Sequence, residues 1–232
     1  MKVAYIVNTI NRSELTPKVT AHNLRVSGLK ASETLIIVTD NGSSEKGIRE
    51  WGEKFADVYI DNGTNIGNPQ ALNNALAIAR SHYCDYFVIA GNDIELKEGW
   101  ATHSIKEFSS NHKLGLLGYD WRNSKGETKG RLRLSTSVFG TWMFPFKTLQ
   151  KCGYFSTFSK YGLWDGEFHM RVTKNGFEKG YLVGFDSKHR GNDMGENSPY
   201  RKMKDEEMRK AAYEGIQKRT NGDCKHVNRL NE

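Results

Sequence analysis

The sequence has few cysteines and no long apolar run. Its 232 residues include three cysteines, Cys84, Cys152 and Cys224, which are far apart and form no Cys-x-x-Cys pair. This pattern excludes a disulfide scaffold, indicates no cysteine-based zinc site and favours a reducing environment. No stretch approaches the ~18 apolar residues of a membrane-spanning helix, and the apolar opening at 1–10 lacks the layout of a signal peptide. We therefore expect a cytoplasmic protein that is soluble or peripheral.

Two common phosphate-binding signatures are also missing. No Gly-Lys-Ser/Thr triplet occurs, which excludes a Walker loop, and no Gly-x-Gly-x-x-Gly run follows the first apolar segment, which excludes the dinucleotide fingerprint. Lys and Arg number 34 against 27 Asp and Glu, so the net charge is +7. A positive surplus favours an anionic ligand, and it leaves a nucleotide, a nucleic acid and an acidic membrane open.

Two periodicities alternate in the first half of the chain. Short apolar runs rich in β-branched residues predict buried strands at 3–7, 35–38, 58–60, 86–89 and 114–117. Helical spacing between them predicts helices at about 16–29, 45–55 and 69–79, with a further helix before the fifth strand. Alternation of this kind predicts a parallel sheet with helices on both faces.

The second half changes character. Apolar and polar residues alternate loosely at 131–144, which predicts antiparallel strands. Helices are expected at 146–152 and 165–175, and a strand follows at 181–185. We predict an α/β fold with a small antiparallel addition, forming one domain over 1–198. Within it, we divide the domain into a first half at 1–95 and a second half at 96–198. A charged helix at about 203–219 and a tail complete the chain at 199–232.

Polar segments follow the predicted strands at their carboxyl ends, where open α/β sheets bind ligands. Two of these segments, and the start of the helix predicted at 165–175, suggest chemistry, and each has a simpler explanation. Asp93 could hold a divalent ion against a diphosphate, or end a solvated strand in an Asx turn. The N–H groups around Gly67, before a helix, could bind phosphate, or the glycine could only permit a tight turn. Asp165 and Glu167 could do acid–base work, or complement the dipole of a helix.

In this order, the segments resemble the family 2 glycosyltransferases of the GT-A fold over about residues 3–192. The marks in the first half are Thr9-Ile10-Asn11-Arg12, Asp40-Asn41-Gly42-Ser43, Asn65-x-Gly67 with Ala71, Asn73 and Ala75, and Gly91-Asn92-Asp93 in the place of the Asp-x-Asp metal motif.

The most specific mark lies in the second half. Trp164-Asp165-Gly166-Glu167-Phe168-x-x-Arg171, followed by Gly176-Phe177, is similar to the family's Glu-Asp-x-Asp-Leu-x-x-Arg pattern and its Gly-aromatic pair. The chain departs from the family at three positions: Gly91 replaces the first metal-motif Asp, Trp164 replaces an acid, and Glu167 replaces an Asp. These departures affect the metal geometry and the acceptor contacts more than the base.

The resemblance implies inverting transfer from a UDP- or dTDP-type sugar donor to a hydroxyl of a glycan or a lipid-linked acceptor. Asp93 and His189 are implied to hold Mn²⁺ or Mg²⁺. Residues 1–95 are implied to be the nucleotide-sugar-binding half and 96–198 the acceptor and catalytic half. Implied donor contacts are Thr9, Asn11, Arg12, Asp40, Asn65, Gly67, Asn73 and Asn92.

On the acceptor side, Asp165 is implied as the general base. Trp142, Trp164, Glu167 and Arg171 are candidate acceptor contacts. Tyr161 is a further stacking candidate. Trp142 is as well suited to core packing, and Glu167 with Arg171 could form a simple i,i+4 ion pair.

Other readings stay open. Gly91 makes a catalytically impaired nucleotide-sugar-binding relative conceivable. A nucleotidyltransferase would need a glycine-rich, lysine-bearing loop after the first strand, and 8–14 offers none. The net charge is compatible with nucleic-acid binding, but the sequence has no recognised binding motif. We therefore expect no nucleic-acid partner. The predicted C-terminal helix could touch an anionic membrane, although its acids favour a solvated face.

Overall fold

In the computed structural model, residues 1–119, 126–190 and 206 are described. The strands are β1 (Val3–Thr9), β2 (Thr34–Asp40), β3 (Val58–Asp61), β4 (Tyr86–Ala90), β5 (Ile94–Glu95), β6 (Leu114–Tyr119), β7 (Thr128–Lys129), β8 (Leu132–Leu134), β9 (Trp142–Pro145), β10 (Glu178–Leu182) and β11 (Lys188–His189). The α-helices are α1 (Leu15–Arg25), α2 (Lys46–Phe55), α3 (Asn68–Ser81), α4 (Trp100–Ser110), α5 (Phe146–Cys152) and α6 (Trp164–Lys174), and a 3₁₀ turn covers Ala31–Glu33.

Nine strands form one sheet in the order β3-β2-β1-β4-β9-β6-β10-β8-β7. Strands β1 to β4 are mutually parallel, and β10 runs parallel to β6. Strands β9 and β8 run against their neighbours. The α/β fold class with a mostly parallel sheet is therefore confirmed. The antiparallel part is more than an addition at the edge, because β9 lies in the middle of the sheet between β4 and β6.

Both faces of the sheet are buried, which explains the unbroken apolar runs. Along β1, Ala4 and Ile6 belong to the core on one face, whereas Tyr5 and Val7 belong to the core on the other. Helix α3 packs on the first face through Leu72 and its neighbours. Helix α4 packs on the second through Trp100 and its neighbours.

Strand β10 differs from its prediction. A strand was expected at 181–185, but β10 is Glu178–Leu182 and ends before a turn at Gly184, whose φ is +87°. The apolar run at 181–185 gives the wrong start for this strand, because the charged residue Lys179 is buried within it. Its Nζ donates a hydrogen bond to the carbonyl oxygen of His169 at 2.8 Å, and burial lowers its pKa.

No helix among the described residues is long and apolar enough to cross a membrane. The predicted boundary at residue 198 and the predicted helix at 203–219 lie outside the described residues, apart from Glu206.

Candidate active site

The parallel strands bring three polar side chains into a row at one edge of the sheet. The register pairs Thr9 with Asp40, and Asp40 with Asp61, at the carboxyl ends of β1, β2 and β3. Thr9 and Asp40 are buried even though they are the last residues of their strands. This is the edge at which open α/β sheets bind ligands, as the strand pattern predicts.

Asp40 is fixed by two hydrogen bonds. Its Oδ1 accepts from the backbone N–H of Ser43 at 2.8 Å, and its Oδ2 accepts from the hydroxyl of Tyr59 at 2.9 Å. Burial, together with this bond to Asp40, raises the pKa of Tyr59 to about 12, so the phenol stays a donor at neutral pH. Sequence reasoning did not single out Tyr59, because its alternation between Val58 and Ile60 is that of an ordinary strand residue.

The loops after β2 and β3 are joined by an asparagine pair. The Nδ2 of Asn41 donates to the Oδ1 of Asn65 at 3.1 Å, and its Oδ1 accepts from the N–H of Ile66 at 3.1 Å. The N–H of Gly67 is bound to the Oδ1 of Asn65 at 3.0 Å. Both N–H groups are thus occupied, which favours the tight-turn explanation over a phosphate cradle. A Cβ on Gly67, whose φ is +91°, would lie 3.0 Å from the Cα of Lys160.

Asn65 also connects this edge to the segment that precedes α6. Its amide donates to the hydroxyl of Tyr161, and the N–H of Asn68 donates to the carbonyl of Lys160 at 3.0 Å. The chain reaches Asp165 four residues after Tyr161. The start of α6 is therefore tied to the loops that we expect to bind the donor.

Asn73 lies on helix α3, outside the loops that follow the parallel strands. Its side-chain amide donates to the carbonyl of Phe155 at 2.8 Å and its Oδ1 accepts from the N–H of Phe155 at 2.9 Å. These two bonds clamp α3 to the segment after α5. The structure thus gives Asn73 a positioning role.

The loop after β1 has an unusual backbone. Asn11 and Arg12 both have positive φ angles, 57° and 63°, which few residues other than glycine adopt. The Oδ1 of Asn11 accepts from the N–H groups of Ser44 at 2.9 Å and Glu45 at 3.2 Å. Asn11 therefore acts as a latch between the loops after β1 and β2.

Asp93 is the meeting point of two basic side chains. Its Oδ2 lies 2.7 Å from Nη1 of Arg12 and 3.6 Å from Nε2 of His189. The pairing of β11 with β5 places His189 opposite Ile94, and the N–H of Arg190 donates to the Asp93 carbonyl at 2.7 Å. The predicted proximity of Asp93 and His189 is thus present. Neither β5 nor β11 was predicted from the sequence.

Asn92 completes this corner. Its Oδ1 accepts from Arg12 at 3.3 Å and its Nδ2 donates to the hydroxyl of Thr9 at 3.4 Å. Gly91 is closely packed, because a Cβ there would lie 2.8 Å from Cδ1 of Ile94. An acid at position 91 would require Ile94 to move. The absence of an acid there therefore agrees with the close packing around Gly91.

A divalent ion that shares its ligands with a substrate fits these residues. Within the described ranges there is no group of three or more His, Cys, Asp or Glu side chains that could form a metal cage. The Oδ2 of Asp93 and the Nε2 of His189, 3.6 Å apart, can both reach one ion at bond lengths of about 2.1 Å. Mg²⁺ commonly takes one or two protein ligands and completes its shell with phosphates and water.

Asp165 lies in the first turn of α6, after Leu163, whose φ is +59°. Its Oδ1 accepts from the N–H of Gly166 at 2.8 Å, and the side chain is half-buried. The predicted pair of Glu167 and Arg171 is formed with two bonds of 2.7 Å. Arg171 also donates to the carbonyl of Cys152, so this pair fastens α6 to α5.

The two candidate acceptor tryptophans are in the core. Trp142 is 3% exposed and Trp164 is 7% exposed. The Trp142 ring lies 5.6–6.3 Å from the rings of its aromatic neighbours, which are Phe144, Phe155, Trp164, Phe168 and His169. Of the two roles that the sequence left open for Trp142, packing is the one observed. Burial of both rings leaves them little surface with which to stack on an acceptor sugar.

This aromatic cluster is adjacent to the ligand edge. Trp142 pairs with Ile89 near the carboxyl end of β4, and the neighbouring Thr141 accepts from the N–H of Gly91 at 3.0 Å. Because Trp164 packs on Trp142 and precedes Asp165 directly, the cluster fixes the first turn of α6 relative to the metal-motif loop.

His169 in this cluster should make the fold sensitive to acid. The residue is 1% exposed and its Nε2 has no hydrogen-bond partner in the described residues. Burial, aided by the charge of Lys179, lowers its pKa from 6.5 to about 3. The unfolded chain therefore binds more protons than the folded one below pH 6.5, and stability falls as the pH drops from about 6.5 towards about 3.

We expect the free energy of unfolding to fall by about 2 kcal/mol between pH 7 and pH 5 through this residue. Urea unfolding of His169→Asn at both pH values provides the check. The variant is less stable throughout but has a flatter dependence on pH. An equal dependence in both proteins would show that His169 does not carry the effect.

Two solved structures have a similar fold. The S. aureus TarS fragment 1-349 in complex with UDP-GlcNAc is 17% identical and has a TM-score of 0.63, with 83% of this chain and 61% of that chain covered. The mannosyltransferase PcManGT from Pyrobaculum calidifontis, solved with GDP-Man and Mn²⁺, is 16% identical with a TM-score of 0.69, and the match covers 93% of this chain and 64% of that one.

The chain spans less than two thirds of the length of these structures, and only 36% of that of the longer S. aureus TarS chain. A scan of protein-family models and a search of curated proteins give no match. At these identities the likeness shows the fold. The chain therefore has the same fold as these two structures, solved with UDP-GlcNAc and with GDP-Man, which confirms the GT-A fold that the resemblance implies.

Proposed function

We propose that the chain is an inverting glycosyltransferase that moves a sugar from a UDP- or dTDP-type donor to a hydroxyl of a glycan or lipid-linked acceptor. The observation that supports this most is the convergence of Asp40, Arg12, Asp93 and His189 at one sheet edge. A cytoplasmic location, with or without contact to a membrane, belongs to the same proposal.

The donor half of the site would recognise a nucleoside diphosphate. Asp40 would accept from the N–H groups of the base, with Tyr59 holding the carboxylate in place. Thr9, Asn11 and Asn92 shape the wall between this carboxylate and Asp93. Asp93 and His189 would hold Mn²⁺ or Mg²⁺, which when bound neutralises charge on the diphosphate.

In the chemical step, the acceptor oxygen attacks the anomeric carbon as its proton passes to the carboxylate of Asp165. The bond from that carbon to the diphosphate oxygen breaks, and the diphosphate leaves with the electron pair. Glu167 and Arg171 fix the position of α6. Their effect on the acceptor is therefore indirect, through the placement of this helix. A well-placed general base contributes typically ~10²–10⁴-fold.

A binding protein without turnover is the second candidate. Gly91 in place of an acid and the Arg12 contact to Asp93 favour it, since both reduce the negative charge available to a cation. Turnover of a nucleotide sugar, measured as release of UDP or dTDP, separates the two candidates.

The donor is tested by thermal unfolding with UDP-, dTDP- and GDP-sugars, with Mn²⁺ or with EDTA. A donor at ~100 times its Kd adds about 2.7 kcal/mol, a shift of roughly 5–10 °C for a chain of this size. No shift with any donor would overturn the proposal.

Asp93→Ala should lose most of the Mn²⁺-dependent part of that shift, since it removes the carboxylate that lies beside His189. Glu127→Ala is the control, because it removes one exposed negative charge at the far edge of the sheet. If chelator and Asp93→Ala both left nucleotide affinity unchanged, the metal site would be refuted while donor binding stood.

A further inference from the structure

Arg12 is held in its place by a strained backbone. Its φ of +63° follows the +57° of Asn11, and two consecutive residues in this region cost energy that the surroundings must offset. The offset is visible in the latch of Asn11, whose Oδ1 accepts two backbone bonds and whose N–H donates to Ser43 Oγ at 2.7 Å. Strain maintained in this way is typical of residues with a function.

The guanidinium of Arg12 ends on the oxygen that a cation would need. Its Nη1 is 2.7 Å from Oδ2 of Asp93, and the two side chains are 23% and 14% exposed. The same Oδ2 faces His189 at 3.6 Å. The pair links positions 81 residues apart, so it is a product of the fold.

We propose that Arg12 is an internal cation that holds Asp93 in the absence of a divalent ion, and that moves to the donor diphosphate when an ion takes over Asp93. The inference rests on the proposed function for its second half only. Its first half concerns this chain and the metal alone.

The charges make the two states compete. A guanidinium and a doubly charged ion repel each other when they share one carboxylate oxygen. At the dielectric of water and ~5 Å separation, this repulsion corresponds to an affinity change of about tenfold or more. Released from Asp93, the planar fork of arginine matches phosphate oxygens in a bidentate manner. Tight ion binding would therefore require the nucleotide.

Titration of Mn²⁺ without nucleotide, followed by the electron paramagnetic resonance signal of the free ion, tests the first half. We expect Arg12→Gln to bind Mn²⁺ at least about tenfold more tightly than the unaltered protein. Arg49→Gln is the matched control, since it breaks another Arg–Asp pair, with Asp61, and changes the net charge equally. Its Mn²⁺ affinity should stay within about twofold of the unaltered protein.

A second variant guards against a folding defect. Arg12→Gly removes the side chain at a position whose positive φ suits glycine, so it should fold and bind Mn²⁺ as tightly as Arg12→Gln. Equal Mn²⁺ affinity in the unaltered protein and both Arg12 variants, or no Mn²⁺ binding by the variants, would overturn the inference.

The nucleotide measurements tell the two failures apart. With Mn²⁺ at saturation, Arg12→Gln should bind UDP about tenfold more weakly than the unaltered protein, because its phosphate contact is lost. An unchanged UDP affinity would refute the second half of the inference. If the unaltered protein bound no nucleotide at all, the proposed function would fail, and the Mn²⁺ titration would still decide the first half.

Discussion

Asp165→Asn should reduce sugar transfer by a factor of at least about 100 while donor affinity stays unchanged. Asparagine has the same shape but cannot take up the acceptor proton, and that transfer is worth ~10²–10⁴-fold. The amide oxygen can still accept from the N–H of Gly166, as Oδ1 of Asp165 does at 2.8 Å. Lost attraction to the helix dipole costs only about 0.3–1 kcal/mol, so the fold should survive.

The measurement pairs kcat from nucleotide release with the donor Kd from titration. Asp85→Asn is the control, because Asp85 is an exposed carboxylate paired with the N-terminus. Full turnover in Asp165→Asn would remove this residue from the role of base. Loss of donor binding along with turnover would instead indicate damage to the loops joined through Tyr161 and Asn65.

The sequence predicts most of the donor half of the fold. Strands β1, β2 and β4 are largely buried and the edge strand β3 is half-buried. Each is therefore a short apolar run, and parallel pairing then places Thr9 and Asp40 at one edge. The pair of Glu167 and Arg171 also follows from spacing, since residues four apart are neighbours on a helix.

Contacts between distant segments carry no local period and could not be predicted in this way. The insertion of β9 between β4 and β6 and the pairing of β5 with β11 are of this kind. So is the ion pair of Arg12 with Asp93. Strand β10 begins earlier than predicted for another reason. Lysine is usually exposed, but Lys179 is buried within this strand.

Burial also decides between the two roles that the sequence allows for Trp142. Trp142→Ala should lower the free energy of unfolding by about 3–5 kcal/mol, the range for a large aromatic ring removed from a core. The ring is 3% exposed and lies 5.6 Å from Phe144 and 5.8 Å from Phe168. Trp142→Phe keeps more of this packing and should lose clearly less.

Urea unfolding measures these differences, with Trp51→Ala as the control. Trp51 stacks on Phe55 on the half-buried side of α2, so its loss should be smaller than that of Trp142. A midpoint for Trp142→Ala equal to that of the unaltered protein would contradict core packing. Since Trp142 contacts Trp164 and Trp164 precedes Asp165, the loosened cluster should also lower kcat in the folded fraction. A ring that served only to stack on the acceptor would raise KM for the acceptor and leave the urea midpoint in place.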